Sequence, residues 1–231
     1  MLAPDRLARA SAVGLCAFAI ACVSHEAIGH GLACLASDGA IERLSAVVFQ
    51  CSRTAWWIDL GGPLGSLACA VIALAMLRRG RSSPLIPFVF AFAALWFAGQ
   101  LIYSALVDRD DFAFVADAMP PSMQIVVRCA QVIAGALVYR WALRVSAPWM
   151  PARRERLLAW ATAGIAVAAS TLLQGVDAAA LRDAVLESSV TSVGLLLSSA
   201  ARRDAFEGGA PTALYAAVGA ALLIALGLGV A

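Results

Sequence analysis

The sequence contains no lysine: all 17 of its basic residues are arginine, which together with abundant alanine points to a GC-rich, bacterial genome. Charge of either sign is scarce. Charged residues make up 14% of the 231 positions and hydrophobic ones 62%, against roughly a quarter and a half in ordinary globular domains, and the mean hydropathy is +0.84. That composition excludes a solvated globular domain and leaves a membrane protein. The net charge of +2, with no basic patch interleaved with aromatics, argues against nucleic acid as a partner. Histidine is scarce too, with two in the chain.

Apolar runs long enough to cross a bilayer, at about 20 residues each, lie at Ser11 to Leu35, Ile58 to Leu77, Pro84 to Val107, Gln124 to Leu143, Leu157 to Leu173 and Thr212 to Val230. The predicted fold is therefore an all-α polytopic membrane protein of about six transmembrane helices. Arg6 and Arg9 before the first run imitate a signal peptide, but that run continues to Leu35, too long for a signal h-region. With the N-terminus inside, ten arginines (Arg6, Arg9, Arg78, Arg79, Arg81, Arg140, Arg144, Arg153, Arg154 and Arg156) fall on inner flanks and seven outside, three of them (Arg182, Arg202 and Arg203) in the longest outer loop. An inside N-terminus is expected.

Between the first two runs, Ala40 to Ser52 is rich in β-branched and apolar residues with partial alternation, which predicts a short hairpin. Trp56 and Trp57 follow where an aromatic belt marks the interface. Gln174 to Pro211 contains an apolar stretch too short to span, read as an interfacial or re-entrant helix. Of the six cysteines, Cys16, Cys22, Cys34, Cys69 and Cys129 lie in or at the ends of predicted helices and Cys51 in a loop, so no disulfide framework is expected. Cys22 and Cys34 sit within about one helical turn of the histidines, where either could approach a metal, although small buried cysteine is common in helices.

Both histidines belong to one motif, "SHEAIGHG", Ser24 to Gly31. Zinc hydrolases carry H-E-x-x-H, with the glutamate as general base; here His25 and His30 are five apart. By composition, either spacing arises by chance with odds on the order of one in a thousand, so accident is a poor explanation. An ionisable trio inside a membrane helix is moreover costly and tends to be functional. In a regular helix residues i and i+5 diverge by about 140°. A π-bulge absorbs the extra residue and returns both rings to one face, and Gly29 lies in that turn.

A catalytic zinc takes three protein ligands and leaves a position for water. The densest acidic cluster, Asp108, Asp110 and Asp111, follows the third run. At 1.5 Å per residue His25 and His30 lie about 24 and 32 Å beyond Arg9, near the far face of a core about 30 Å thick, and the third run ends on that same face. A solvated acidic loop is the plain alternative for the cluster. Glu26 is placed as base, taking a proton from metal-activated water and passing it to the leaving amine. Gly61, Gly62 and Gly65 are read first as small residues at a helix interface.

The sequence resembles the site-2 protease family of intramembrane zinc metalloproteases, as a divergent member with H-E-x-x-x-H in place of H-E-x-x-H. The resemblance rests on "GHGLACLASDGAIERLS", on "GGPLGSL" at Gly61 to Leu67, and on "YSALVDRDDFA" at Tyr103 to Ala113, similar to a Tyr-Ser stretch followed by Gly-Asp-Trp. It implies Asp111 as third ligand beside His25 and His30, with Asp108 and Asp110 as substitutes, Zn2+ as cofactor, and Glu26 as catalytic residue. It further implies a metalloprotease core over 1–115, additional helices over 116–231, a membrane-associated or transmembrane protein substrate and a bacterial inner membrane location. Relatives hold their site toward the cytoplasm, whereas the arginine count places this one outside. Competing expectations are an intramembrane lipid amidase and a non-catalytic metal-binding scaffold.

Overall fold

The computed structural model describes residues 4–80, 83–175, 178–197, 206 and 210–229. Arg81, Arg202, Arg203, Val230 and part of the segment from Gln174 to Pro211 lie outside them.

The chain is a helical bundle with one small sheet. Helix α1 (Pro4–Cys22) runs without a break into a π-helix (Val23–His30) and then α2 (Gly31–Ala36). A hairpin follows, β1 (Ile41–Leu44) and β2 (Phe49–Cys51), antiparallel with Ile41 opposite Cys51 and Leu44 opposite Phe49. The expected hairpin is present, with an irregularity between Ile41 and Arg43. Then come α3 (Trp56–Arg78), α4 (Leu85–Val107), α5 (Asp111–Asp117), α6 (Pro121–Ser146) and α7 (Arg153–Leu172). A broken stretch of α8 (Ala178–Val185), a π-turn (Leu186–Val190) and a 3-10 turn (Val193–Leu196) leads to α9 (Thr212–Leu228).

Among the described residues, four helices are long and apolar enough to cross a membrane: Asp5–Ala36, Trp56–Arg78, Leu85–Val107 and Pro121–Trp149. Helix α7 opens on the charged run Arg153 to Arg156, and α9 has only 17 residues, about 26 Å at 1.5 Å per residue. Helix α4 is apolar all round and almost wholly buried, which makes it the hub. The outer helix α6 keeps apolar residues such as Ile125, Ile133 and Leu137 exposed, as a lipid-facing helix does. With no hydrophobic drive between helices in lipid, association depends on close approach through small residues: Gly219 of α9 lies against the Cys16 backbone, and Gly14 against Ala159.

Two sequence expectations are corrected. With Gln174 to Pro211 read as an outer loop the last run would start on the outer face, but α9 begins beside the N-terminal end of α1, where Arg9 donates to the Ala210 carbonyl at 3.1 Å and Tyr215 meets Ser83 at 3.3 Å. It ends at the opposite face, where Gln174 donates to both Leu44 and Leu226 carbonyls. Of the segment between α7 and α9, the described residues 178–197 pack into the bundle, where Thr191 lies on Gly99 and Gly194 donates to the Tyr139 hydroxyl. Secondly, Cys34 and Cys51 form a disulfide. The turn at Ser37 to Gly39 folds β2 back over α2, and a Cβ at Gly39 would come within 2.5 Å of the Cys51 sulfur, so glycine there is what lets the sulfurs meet.

Candidate metal centre

The π-helix is the local device that assembles the site. It extends over eight residues, longer than a single bulge, and brings the His25 and His30 rings to a centroid separation of 5.0 Å on one face. Its close packing on α3 is made possible by glycine: a Cβ on Gly65 would strike the Ser24 carbonyl, and one on Gly29 the Gly61 carbonyl. Gly61 and Gly65 are thus interface residues, as read from sequence. Gly62 has a second role, because a Cβ there would collide with the Nε2 atoms of both histidines.

Asp111 reaches the same point from the start of α5. Its Oδ2 lies 3.0 Å from His25 Nε2 and its Oδ1 3.3 Å from His30 Nε2. One ligand atom from each of His25, His30 and Asp111 lies within 4.8 Å of the others, a group that could hold a metal ion. The outer nitrogens are fixed: His25 Nδ1 shares a hydrogen bond of 2.9 Å with the Ser66 hydroxyl, and His30 Nδ1–H donates to the Ile58 carbonyl at 2.7 Å. The Ile58 carbonyl can only accept, so His30 Nδ1 carries the proton and its Nε2 is left for a metal, while Ser66 holds the His25 ring from its outer nitrogen, the outer-shell arrangement of histidine ligands generally. Trp96 stacks on His25 at 4.6 Å and Phe49 on His30 at 5.2 Å, so each ring is held on its face as well as at its edge. The residues fit a divalent ion of the imidazole and carboxylate class.

Asp108 and Asp110, the alternatives to Asp111, have other partners. Arg128 of α6 pairs with Asp108 and, at 2.8 Å, with Asp117, tying the α4–α5 connection down. Asp110 caps α5 by accepting the Asp111 N–H at 2.8 Å and accepts from Gln100 Nε2 at 3.1 Å. Burial, then the neighbouring Asp111 charge, pushes the Asp110 carboxyl up to about 8. Burial acts upward on Asp111 too, but His30 and His25 outweigh it and hold that carboxyl well below the usual range. Of the two cysteines expected near the metal, Cys34 is consumed by the disulfide and Cys22 is buried outside the ligand group.

A cavity of about 370 Å³ opens over the group, lined by Glu26, Val48, Phe49, Asp59 and Phe114 among others, and from the C-terminal half by Asp183, Leu186 and Glu187. Glu26 is 2% exposed. Sequence reasoning missed Ser66, Gln100, Trp96 and Glu187. Gln100 and Glu187 carried a signal, a polar side chain within an apolar stretch; Ser66 and Trp96 carried none. Compared with known proteins, the chain matches no family model, no curated protein and no solved structure.

Proposed function

We propose that this chain is an intramembrane zinc metallopeptidase, a divergent relative of the site-2 protease family. Its substrate is a membrane-associated or transmembrane protein, and its location a bacterial inner membrane in which α7 and α9 complete six membrane helices. The observation that carries the reading is the meeting of His25, His30 and Asp111 beside Glu26, in a cavity at one end of membrane helices. Three protein ligands with a position left open are the usual donor set of catalytic zinc. Asp110 adds support. It stands where the resembled motif carries glycine, and its φ of 78° and ψ of 173° fall in a region essentially reserved for glycine.

When bound, zinc supplies Lewis acidity, lowering the pKa of water toward about 7 and polarising a carbonyl. The protein's own residues do the rest. Glu26 accepts the proton that water gives up as it adds to the scissile carbonyl, and delivers it to the leaving nitrogen. The hydroxyl ends on the carbonyl carbon and the proton on the amine, so one water is consumed per bond. Trp96 and Phe49, packed against the histidines, exclude bulk water and strengthen electrostatics inside the cavity. The hairpin end at Val47 to Phe49 forms one wall and offers an edge for an extended substrate strand.

The test is metal content and proteolysis of the detergent-purified chain. About one zinc per chain, lost in His30→Ala and Asp111→Ala, supports the centre. Glu26→Gln should retain zinc while hydrolysis falls about 10²-fold or more. A parent that stays metal-free under zinc-replete conditions overturns the reading. Unchanged biological function in Glu26→Gln makes the chain a scaffold, and turnover of lipid amides but not peptides makes it a lipid amidase.

A further inference from the structure

The cavity is more acidic than a metal centre requires. Beyond Asp111 it is lined by Glu26, Asp59, Asp108, Asp110, Asp183 and Glu187, with Arg109 as the arginine among its lining residues. Most of these carboxylates are accounted for. Asp108 pairs with Arg128, Asp183 with Arg182 at 2.8 Å, Asp110 caps a helix, and Glu26 is the base. Asp59 and Glu187 remain, and Glu187 is the more deeply buried of the two: it is 8% exposed, it lines the cavity, and among the described residues nothing donates to its carboxylate.

The backbone around Glu187 makes the placement specific. It lies in the π-turn that interrupts the passage from α8 toward α9, held by Thr191 and Ser192 hydroxyls that donate back to the Glu187 and Ser188 carbonyls. Irregular backbone at membrane depth is tolerated where it lines a cavity, and interrupted helices in membrane proteins tend to mark ligand sites. Burying a carboxylate without a partner is unfavourable, so a cation is its natural complement. A second metal is a poor candidate, because among the described residues no group of three close ligand atoms includes Glu187.

We propose that Glu187 receives the primary ammonium of a substrate, namely the free amino terminus of a peptide, so that the chain cleaves close to that end. The walls suit it: Val48, Phe49, Phe114 and Leu186 offer apolar contact for side chains next to the ammonium. A volume of about 370 Å³ is at the small end of ligand sites, which suits a chain end better than a long segment. An aminolipid headgroup shares the ammonium but would bring a phosphodiester anion into the same carboxylate-lined space, with Arg109 as its counter-charge. The location of cleavage rests on the metallopeptidase reading; the binding of the ammonium does not.

The experiment separates the two. Affinities of leucyl-leucine amide and of its N-acetyl derivative are measured on the full chain, zinc-loaded and zinc-stripped, for the parent, Glu187→Gln and Glu187→Asp. The free amine should bind about tenfold or more better than the acetylated probe in both metal states. Glu187→Gln should bring the ratio close to one with zinc content unchanged, and Glu187→Asp should restore part of it. Equal affinities for the two probes in the parent overturn the proposal, as does selective binding that survives Glu187→Gln. Selective binding without turnover by the zinc-loaded parent leaves the ammonium site standing and removes the peptidase; equal turnover of both probes does the reverse. Vesicles of phosphatidylethanolamine that displace the amine probe, where phosphatidylcholine vesicles do not, would make the ligand a lipid and overturn the peptide assignment.

Discussion

At this site a metal would compete with a proton for the same atoms. The 3.0 Å contact between His25 Nε2 and Asp111 Oδ2 is the protonated form of the centre, and an incoming ion must displace that proton. Zinc affinity should therefore fall as pH is lowered, with proton release on binding measurable by titration in two buffers of different ionisation enthalpy; a pH-independent affinity would mean that these atoms do not hold the ion. Ser66 acts one bond further out. Ser66→Ala removes the hydrogen bond that fixes the His25 ring, and the expected cost is about 10–100-fold in zinc affinity with folding intact, the range typical of outer-shell partners. Gly62→Ala should be more severe, since the added methyl enters the space of both Nε2 atoms. The ligands themselves were legible because His, Glu and Asp announce their chemistry. Ser66, the Ile58 carbonyl and Trp96 were not, because their roles come from which face of α3 or α4 meets the π-helix, and an apolar helix with little periodicity does not state its facing.

At the scale of elements, the extra residue between the histidines is absorbed by the π-helix, which widens each turn and keeps two side chains together that a regular helix would separate. The consequence is mechanical. Its close approach to α3 depends on Gly29, Gly61 and Gly65, where backbone meets backbone. Gly65→Ala, with its Cβ driven into the Ser24 carbonyl, should destabilise the protein by about 1–3 kcal/mol and lower zinc content, read as an earlier thermal transition; an unchanged transition would show that α3 can retreat freely. The spacing, the nearby glycine and the hairpin's β-branched run could all be read from sequence because each is a local signal. The break at Leu186–Val190 could not. It looks like part of an interfacial turn until its tertiary partners, Trp160 donating to the Ser189 carbonyl and Gly164 against the Ser189 side chain, show that it packs into the bundle.

For the molecule as a whole the open question is which side of the membrane the site faces. The Cys34–Cys51 disulfide joins α2 to β2 directly beside the centre, since Phe49 of the same strand stacks on His30. Disulfides persist in oxidising compartments and are rare in the cytosol. The disulfide thus argues for an exoplasmic metal face, in agreement with the inside N-terminus expected from the arginine bias and against the sidedness that the family resemblance implied. Sequence could not supply this step, because pairing Cys34 with Cys51 depends on the turn at Gly39. The prediction is a labelling pattern. In sealed cells, a membrane-impermeant maleimide should add no signal attributable to these two cysteines until an impermeant reductant is present. It should then add signal in the parent that is missing from the Cys34→Ala/Cys51→Ala variant. Labelling without reductant would mean free thiols, and labelling only after permeabilisation would put the site on the cytoplasmic side. Either result would break the agreement between disulfide and arginine bias.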